Sequence, residues 1–320
     1  MKDAHHYYHL PDISEWKVNN VNDISCLFYG CTSLKRLPDI SKWKMDNIIS
    51  LRLVFFNCSS LIELPDISKW NIFTSNLDNY KSKIDQIIRE DTNVNILKKN
   101  LSILDEMYDD LYIGMVEIKN HNFPKTIEKI KQKLIERAYS LNGLFAGCSS
   151  LKYLPDISKW NIEKTKDISF LFCGCTSLIK LPDISQWNTI NIKKMTCLFF
   201  HCASLEYLPD ISDWNINQVE DISRLFHKCS SLVSLPDISK WNICNINDIS
   251  YLFAECSNLK YLPDISIWNT SNIINMNHLF AKCYSLERLP DISKWNIVNV
   301  NDISHLFLQC LSLKSLILLI

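Results

Sequence analysis

Apolar positions along this chain follow two alternating patterns, and the alternation assigns local structure before any other property is consulted. In stretches of the form SLxxLPDI, Leu178, Leu181 and Ile184 fall in a short extended segment whose Pro a helix interior would reject, which predicts a strand. After the following Trp, residues such as Ile222, Leu225, Phe226 and Cys229 stand at i, i+3, i+4 and i+7, one stripe of a short helix. Asp23, Asp167, Asp221, Asp248 and Asp302 precede that stripe, where an acid would cap free N–H groups at a helix start. Ser50, Lys194 and Asn275 replace the acid, which predicts weaker or absent caps there.

The two patterns recur as one unit. All 9 Trp belong to a single series of period 27, broken only between Trp70 and Trp160. Aligned on it, the unit reads LPDISKWNIxNVxDISxLFxxCxSLxx and is intact at 10–36, 37–63, 154–180, 181–207, 208–234, 235–261, 262–288 and 289–315. Another begins at 64, is split open, and is completed by 140–153. A unit this short cannot bury Leu, Ile, Phe, Trp and Cys alone, but stacked units cover one another's faces. The fold class expected is therefore α/β: a leucine-rich-repeat solenoid, with parallel strands about 4.8 Å apart on the concave face and short helices on the convex face.

The run LFxxCxSLxxLPDISxWN, at Leu171 through Asn188 and again at Leu252 through Asn269, resembles the repeat of the BspA-like leucine-rich-repeat surface proteins. The resemblance covers the chain outside about 77–139. In that family the strand reads L-x-L-S-x-W; here a Pro-Asp pair lengthens the unit by one residue, which suggests a small bulge at each Pro. The resemblance implies a repeat scaffold at the cell surface, adhesion or host-protein binding, and no catalytic residues.

Three segments follow: N-terminal repeats at 1–76, an insert at 77–139 within the third repeat, and C-terminal repeats at 140–320. The insert reads as α-helical, with Leu97, Leu101, Leu104, Tyr108 and Leu111 on one face and a shorter helix around Ile84, Ile87 and Ile88. A last apolar series, Ile127, Ile130, Leu134, Ala138, Leu141, Phe145 and Cys148, runs into the repeat's own stripe and predicts one long helix crossing the boundary despite Gly143.

Charge narrows function by exclusion. Lys+Arg 34 against Asp+Glu 35 gives a net charge of -1, so no broad field favours nucleic acid or an anionic membrane. With only 5 Gly, a phosphate-cradling loop has little material. The N-terminal MKDAHHYYHL has no apolar run of a signal peptide, and the apolar LSLKSLILLI is too short to span a bilayer, so the chain as written reads as intracellular, whereas the family resemblance points to the cell surface.

Three columns carry possible chemistry. Cys31, Cys58, Cys148, Cys175, Cys202, Cys229, Cys256, Cys283 and Cys310 repeat at one position and read as buried small hydrophobes. With Cys26, Cys173, Cys197 and Cys244 they also admit a thiol-rich metal-binding or redox protein, although a linear column does not converge as zinc ligands must. The Asp after each Pro, from Asp12 to Asp291, forms a ladder of like charges whose neighbours would repel by about 3 kcal/mol at ~5 Å and an effective dielectric near 20. An Asx-turn to the N–H two residues on, and Lys42, Lys69, Lys159, Lys240 and Lys294 three residues on, would offset it. His278 and His305 share a column. No unique nucleophile pairs with a unique base, so neither enzyme nor cofactor is expected.

Variation concentrates immediately before each LPDIS, at Arg36, Glu63, Tyr153, Lys180, Tyr207, Ser234, Tyr261 and Arg288, pointing away from the core. Tyr and Arg are enriched at protein interfaces, so Arg36, Glu63, Tyr153, Lys180, Tyr207, Tyr261 and Arg288, framed by Lys152, Glu206, Lys260 and Glu287, are the candidate partner-binding residues. The function expected is a non-enzymatic scaffold for protein–protein interaction through the concave sheet and the insert. Leu316, Ile317, Leu318, Leu319 and Ile320 fill a strand position without its polar rim, which predicts self-association through the C-terminal coil, or a truncated piece of a longer array.

Overall fold

The computed structural model describes residues 12–73 and 138–314. The chain divides into two compact units, Met1–Thr74 with Tyr139–Ile320, and Ser75–Ala138. The first is a solenoid whose coils are the 27-residue units. The helices expected at 84–134 and the apolar segment at 316–320 lie outside the described residues.

Each coil is bonded to the next through its DISxLFxx segment. Within 222–229, alternate N–H groups leave the coil: Ile222, Arg224, Phe226 and Lys228 donate to the carbonyls of Asp248, Ser250, Leu252 and Ala254 at 2.9–3.2 Å. The intervening N–H groups of Leu225, His227 and Cys229 turn back to the carbonyls three residues earlier, at Ile222, Arg224 and Phe226. Parallel bridges mark the same column from coil to coil, Asp23 to Ser50, Ser50 to Ser140, Ser140 to Asp167 and Asp167 to Lys194, then Asp221 to Asp248, Asn275 and Asp302.

The α/β reading therefore needs correction in detail. Among the described residues there is no α-helix and no strand longer than an isolated bridge; the helical elements are 3-10 turns at Val18–Asn20, Ile238–Lys240, Ile265–Ile267 and Ile292–Lys294. The stripe Ile222, Leu225, Phe226, Cys229 belongs to consecutive β-turns, with left-handed residues four apart at Arg224 (φ 56) and Lys228 (φ 64). A turn repeated every four residues returns apolar side chains inward at steps of three and four, the same spacing a helix produces, so periodicity alone does not separate them. The long helix expected to enter the repeat is likewise absent over 138–148, where Gly143 and Gly147 take positive φ in this turn pattern.

The LPDIS segment is also not a strand. The coil-to-coil bonds on this side lie just before it and are sparse, for example Ser231 N–H to Ala203 O and Val233 N–H to Glu206 O in one coil. The expected bulge is replaced by an Asx-turn: Asp39, Asp66, Asp156, Asp183 and Asp210 each accept the N–H of the Ser two residues on at 2.9–3.0 Å. This holds the Asp side chain locally, as the like-charge ladder required. The supposed helix caps do the same work for the turns, with Asp221 and Asp248 accepting from Ser223 and Ser250 at 2.6 and 2.7 Å. Asn275 and Ser50 also accept the N–H two residues on, at 3.0 and 3.4 Å, so those positions are capped after all.

Inside, like residues stack on like. Phe28, Phe55, Phe145, Phe172, Phe199, Phe226, Phe253, Phe280 and Phe307 form one column with ring centroids 5.6–6.0 Å apart and planes within 3–8° of parallel. Trp indoles stack at 6.2–6.4 Å where paired, and each of Trp43, Trp70, Trp160, Trp187, Trp214, Trp241, Trp268 and Trp295 donates Nε1–H to the Ile carbonyl of the preceding coil. The split coil keeps register: Trp160 bonds Ile67 and Cys148 bonds Phe55 across 93 residues rather than the usual 30, the difference being the length of the insert.

Two predictions follow from this geometry. Phe226→Ala opens a cavity in a column of fully buried rings and should cost about 3–5 kcal/mol, read as a lowered thermal midpoint. His201 holds φ 58 at the position occupied by Gly147 and Gly174 in other coils, so His201→Gly should stabilise by about 0.5–1 kcal/mol. Gly147→Ala should do the reverse, because at φ +72 its Cβ would meet the Asn57 backbone at 3.1 Å. Thermal melts of both variants check the sign.

Candidate functional site

The candidate strip sits where the chain passes from the buried Leu of SxL to the LPDIS turn. Leu151, Leu205 and Leu259 are buried, and the two residues after each are exposed. Arg36, Glu63, Tyr153, Lys180, Tyr207, Ser234, Tyr261 and Arg288 are all exposed, and Tyr153, Tyr207 and Tyr261 keep 54%, 59% and 54% of their surface in solvent. Rings that large are open to water in every second coil of the C-terminal array, while the Leu two residues before each is buried.

The strip is charged as well as aromatic. Arg36 and Glu63 pair at 3.2 Å, and Lys314 reaches Glu287 at 3.0 Å. The Lys314 ammonium, with smaller contributions from Lys260 and the Tyr261 hydroxyl, holds the Glu287 carboxyl below the ordinary range. Beside it runs the Asp column. At Asp39, Asp66, Asp156, Asp183, Asp210 and Asp291, hydrogen bonds from the Ser hydroxyl and N–H two residues on lower the carboxyl, so these groups stay ionised. Lys42, Lys69, Lys159 and Lys294 lower their own coil's Asp, whereas Lys240 acts on Asp210 and pairs with Asp213 of the preceding coil at 3.8 Å. Between Tyr207 and Lys240 the surface dips into a shallow depression of about 330 Å³, lined also by Asp210, Ser234, Pro236 and Asp237.

Among the described residues the Cys column does not converge as metal ligands would. Cys58, Cys148, Cys175, Cys202, Cys229, Cys256, Cys283 and Cys310 each donate S–H to the carbonyl of the Phe one coil back, at 3.0–3.2 Å. Burial pushes the Cys58 and Cys229 thiols up to about 12, away from the thiolate a metal or redox reaction needs. Among the described residues no three His, Cys, Asp or Glu side chains converge on a point that could hold a metal ion. His278 and His305 do adjoin, with ring centroids 4.6 Å apart, but they belong to a stack and not to a chelate.

That stack was missed by sequence reasoning. The position of Arg224 changes identity in successive coils to Tyr251, His278 and His305, and the side chains lie on one another: the Arg224 guanidinium is 4.7 Å from the Tyr251 ring centre, Tyr251 lies parallel on His278 at 4.4 Å, and His278 is followed by His305. Three positions along the repeat, the buried His227 meets Phe200 edge-on at 5.0 Å. The signal available in the sequence was a period-27 column of changing residues, hidden because those positions were assigned to the solvated side of a helix.

Among the described residues, no helix is long and apolar enough to cross a membrane. No curated protein matches this chain. Solved leucine-rich repeat proteins are among its structural neighbours: one from T. pallidum shares 17% identity at a TM-score of 0.31, covering 85% of this chain and 72% of its own. One from Bacteroides ovatus shares 14% at 0.26, covering 91% and 80%. The repeat itself is matched over residues 2–109, 139–235 and 232–317 by the family described as Mycoplasma protein of unknown function, DUF285, and the chain belongs to that family.

Proposed function

We propose that this chain is a non-enzymatic repeat scaffold that binds a protein partner through the strip Arg36, Glu63, Tyr153, Lys180, Tyr207, Tyr261 and Arg288, with the insert 77–139 as a second contact surface. The observation that carries this is the contrast between frame and strip. Trp, Phe, Cys and Ile recur at fixed buried positions, while the exposed position beside them varies among Tyr, Arg, Lys, Glu and Ser. Exposed Tyr rings on a rigid backbone supply contact area at little cost in side-chain order, and neighbouring charges supply selectivity. No constellation among the described residues offers a nucleophile with its base. The resemblance to BspA-like surface repeats supports the same reading.

The test is an affinity pull-down with the intact chain, the chain lacking 77–139, and Tyr153→Ala/Tyr207→Ala/Tyr261→Ala. A partner retained by the intact chain should be lost or weakened at least tenfold by the triple change, since each such Tyr contributes about 1–2 kcal/mol at an interface. Equal retention by the triple variant would remove the strip from the reading.

The reading includes association of the chain with itself through the C-terminal coil. In its described part Val298, Ile303 and Leu311 are exposed, Leu311 at 77%. Light scattering over a concentration series should show a rising mass, reduced by Ile317→Lys with Leu319→Lys; a constant monomer mass would refute it.

A further inference from the structure

His227 is the one imidazole buried within the described solenoid. It is 7% exposed, and neither Nδ1 nor Nε2 has a hydrogen-bond partner. Its ring fills the space that Phe56 and Phe200 fill at the same position of other coils, lying between the Phe200 edge at 5.0 Å and Tyr251 at 5.1 Å. The ionisable groups on the surrounding elements are Cys197 and His201 on the preceding coil, Arg224 and Lys228 on its own, and Tyr251 and Glu255 on the following one, with Lys282 beyond. Glu255 is the group that could balance an imidazolium. Its Oε1 is 3.7 Å from His227 Nε2, however, and 3.3 Å from the Lys282 ammonium, so the carboxylate is already engaged by another cation.

We infer that His227 is an acid-sensitive wedge: as pH falls below neutrality, proton uptake by its ring in the opened state shifts the equilibrium towards local opening of the solenoid between coils 208–234 and 235–261. At neutral pH the ring is uncharged and packs as the Phe of other coils does. Adding a proton places a cation in an apolar slot beside Arg224 and Lys228, with no acceptor in reach that is not already shared.

The sign of the pH dependence follows from linkage. Burial, opposed by Glu255 and reinforced by Lys228 and Arg224, pulls the folded imidazole down to about 4, from 6.5. A lowered folded value means the opened state takes up the proton first, so stability is complete above about pH 6.5 and is lost as pH falls from there towards about 4. Between about pH 7.5 and about pH 5 the closed-to-open ratio of these coils should drop by about thirtyfold.

The experiment compares the full chain with His227→Phe, a residue the repeat already carries at this position. Hydrogen-exchange protection factors for 222–229 and 249–256 should fall by about thirtyfold between about pH 7.5 and about pH 5 in the parent and by much less in the variant. Imidazole NMR of the parent should show His227 still neutral at about pH 5. An equal acid-induced fall in both proteins, or a His227 that titrates near 6.5, would overturn the inference.

Discussion

The separation between coils is the constraint on which the rest of the structure depends. Alternate N–H groups of each turn run bond to the next coil's carbonyls, which brings neighbouring backbones to the roughly 4.8 Å spacing of a parallel ladder. Side chains follow at only slightly larger intervals, with Phe rings no more than 6.0 Å apart and Trp rings no more than 6.4 Å. Packed helices need about 8–10 Å between axes. A helix in every coil would force the two sides of the solenoid to advance at different rates, whereas flat β-turns advance at the ladder's own rate. The DISxLFxxC segment therefore folds as turns even though its apolar spacing suits a helix. The cost is a left-handed residue twice per coil, taken by Gly at Gly147 and Gly174 and by ordinary residues at Arg224, Lys228, Tyr251 and Glu255.

The same spacing explains why so many core positions repeat one residue type. At about 6 Å a Phe can face only the Phe above and below it, in a parallel offset arrangement that a change of shape in one coil would disturb in two neighbours. The Trp and Cys donors of the core are satisfied by the same translation. The indole N–H of Trp and the thiol of Cys each find a carbonyl of the preceding coil. Each Phe carbonyl thus accepts from two donors, for example Phe199 from the Cys202 N–H of its own coil and the Cys229 S–H of the next. Cysteine fits because it is small, tolerates burial and donates weakly, not because it is reactive.

The sequence conveyed this architecture unevenly. The repeat, its length, the buried columns and the exposed strip were legible, because burial at a fixed period needs no knowledge of backbone path; Phe226, Cys229 and Trp241 are buried where the pattern placed them. The Asx-turns at the Asp column were legible as well, since a ladder of carboxylates demanded a local acceptor role. What escaped was conformation between those fixed points. Helix and four-residue turn share the spacing of Ile222, Leu225, Phe226 and Cys229, and the deciding fact, the coil separation, appears only once partners are known. The stack of Arg224, Tyr251, His278 and His305 escaped for the same reason, since residues assigned to different exposed helices would not have touched.

A frame built this way separates stability from recognition. Every interior column is tied to its neighbours on both sides, so replacement there is felt across two interfaces. A position such as Tyr207 or Lys180 touches water, and its backbone is held by Leu205, Leu178 and the adjoining LPDIS turn whatever side chain it carries. The exposed strip can therefore change its chemistry coil by coil without disturbing the ladder. The turn side has less freedom: at Arg224, Lys228 and their equivalents the backbone must tolerate positive φ, which disfavours β-branched side chains. Cys, Leu, Phe, Arg, Tyr and His occur at the Arg224 position, with Gly143 in the remaining described coil, and no Val, Ile or Thr. Variation on that side is filtered by backbone geometry, whereas variation on the strip is filtered by solvent, which fits the binding role proposed for it.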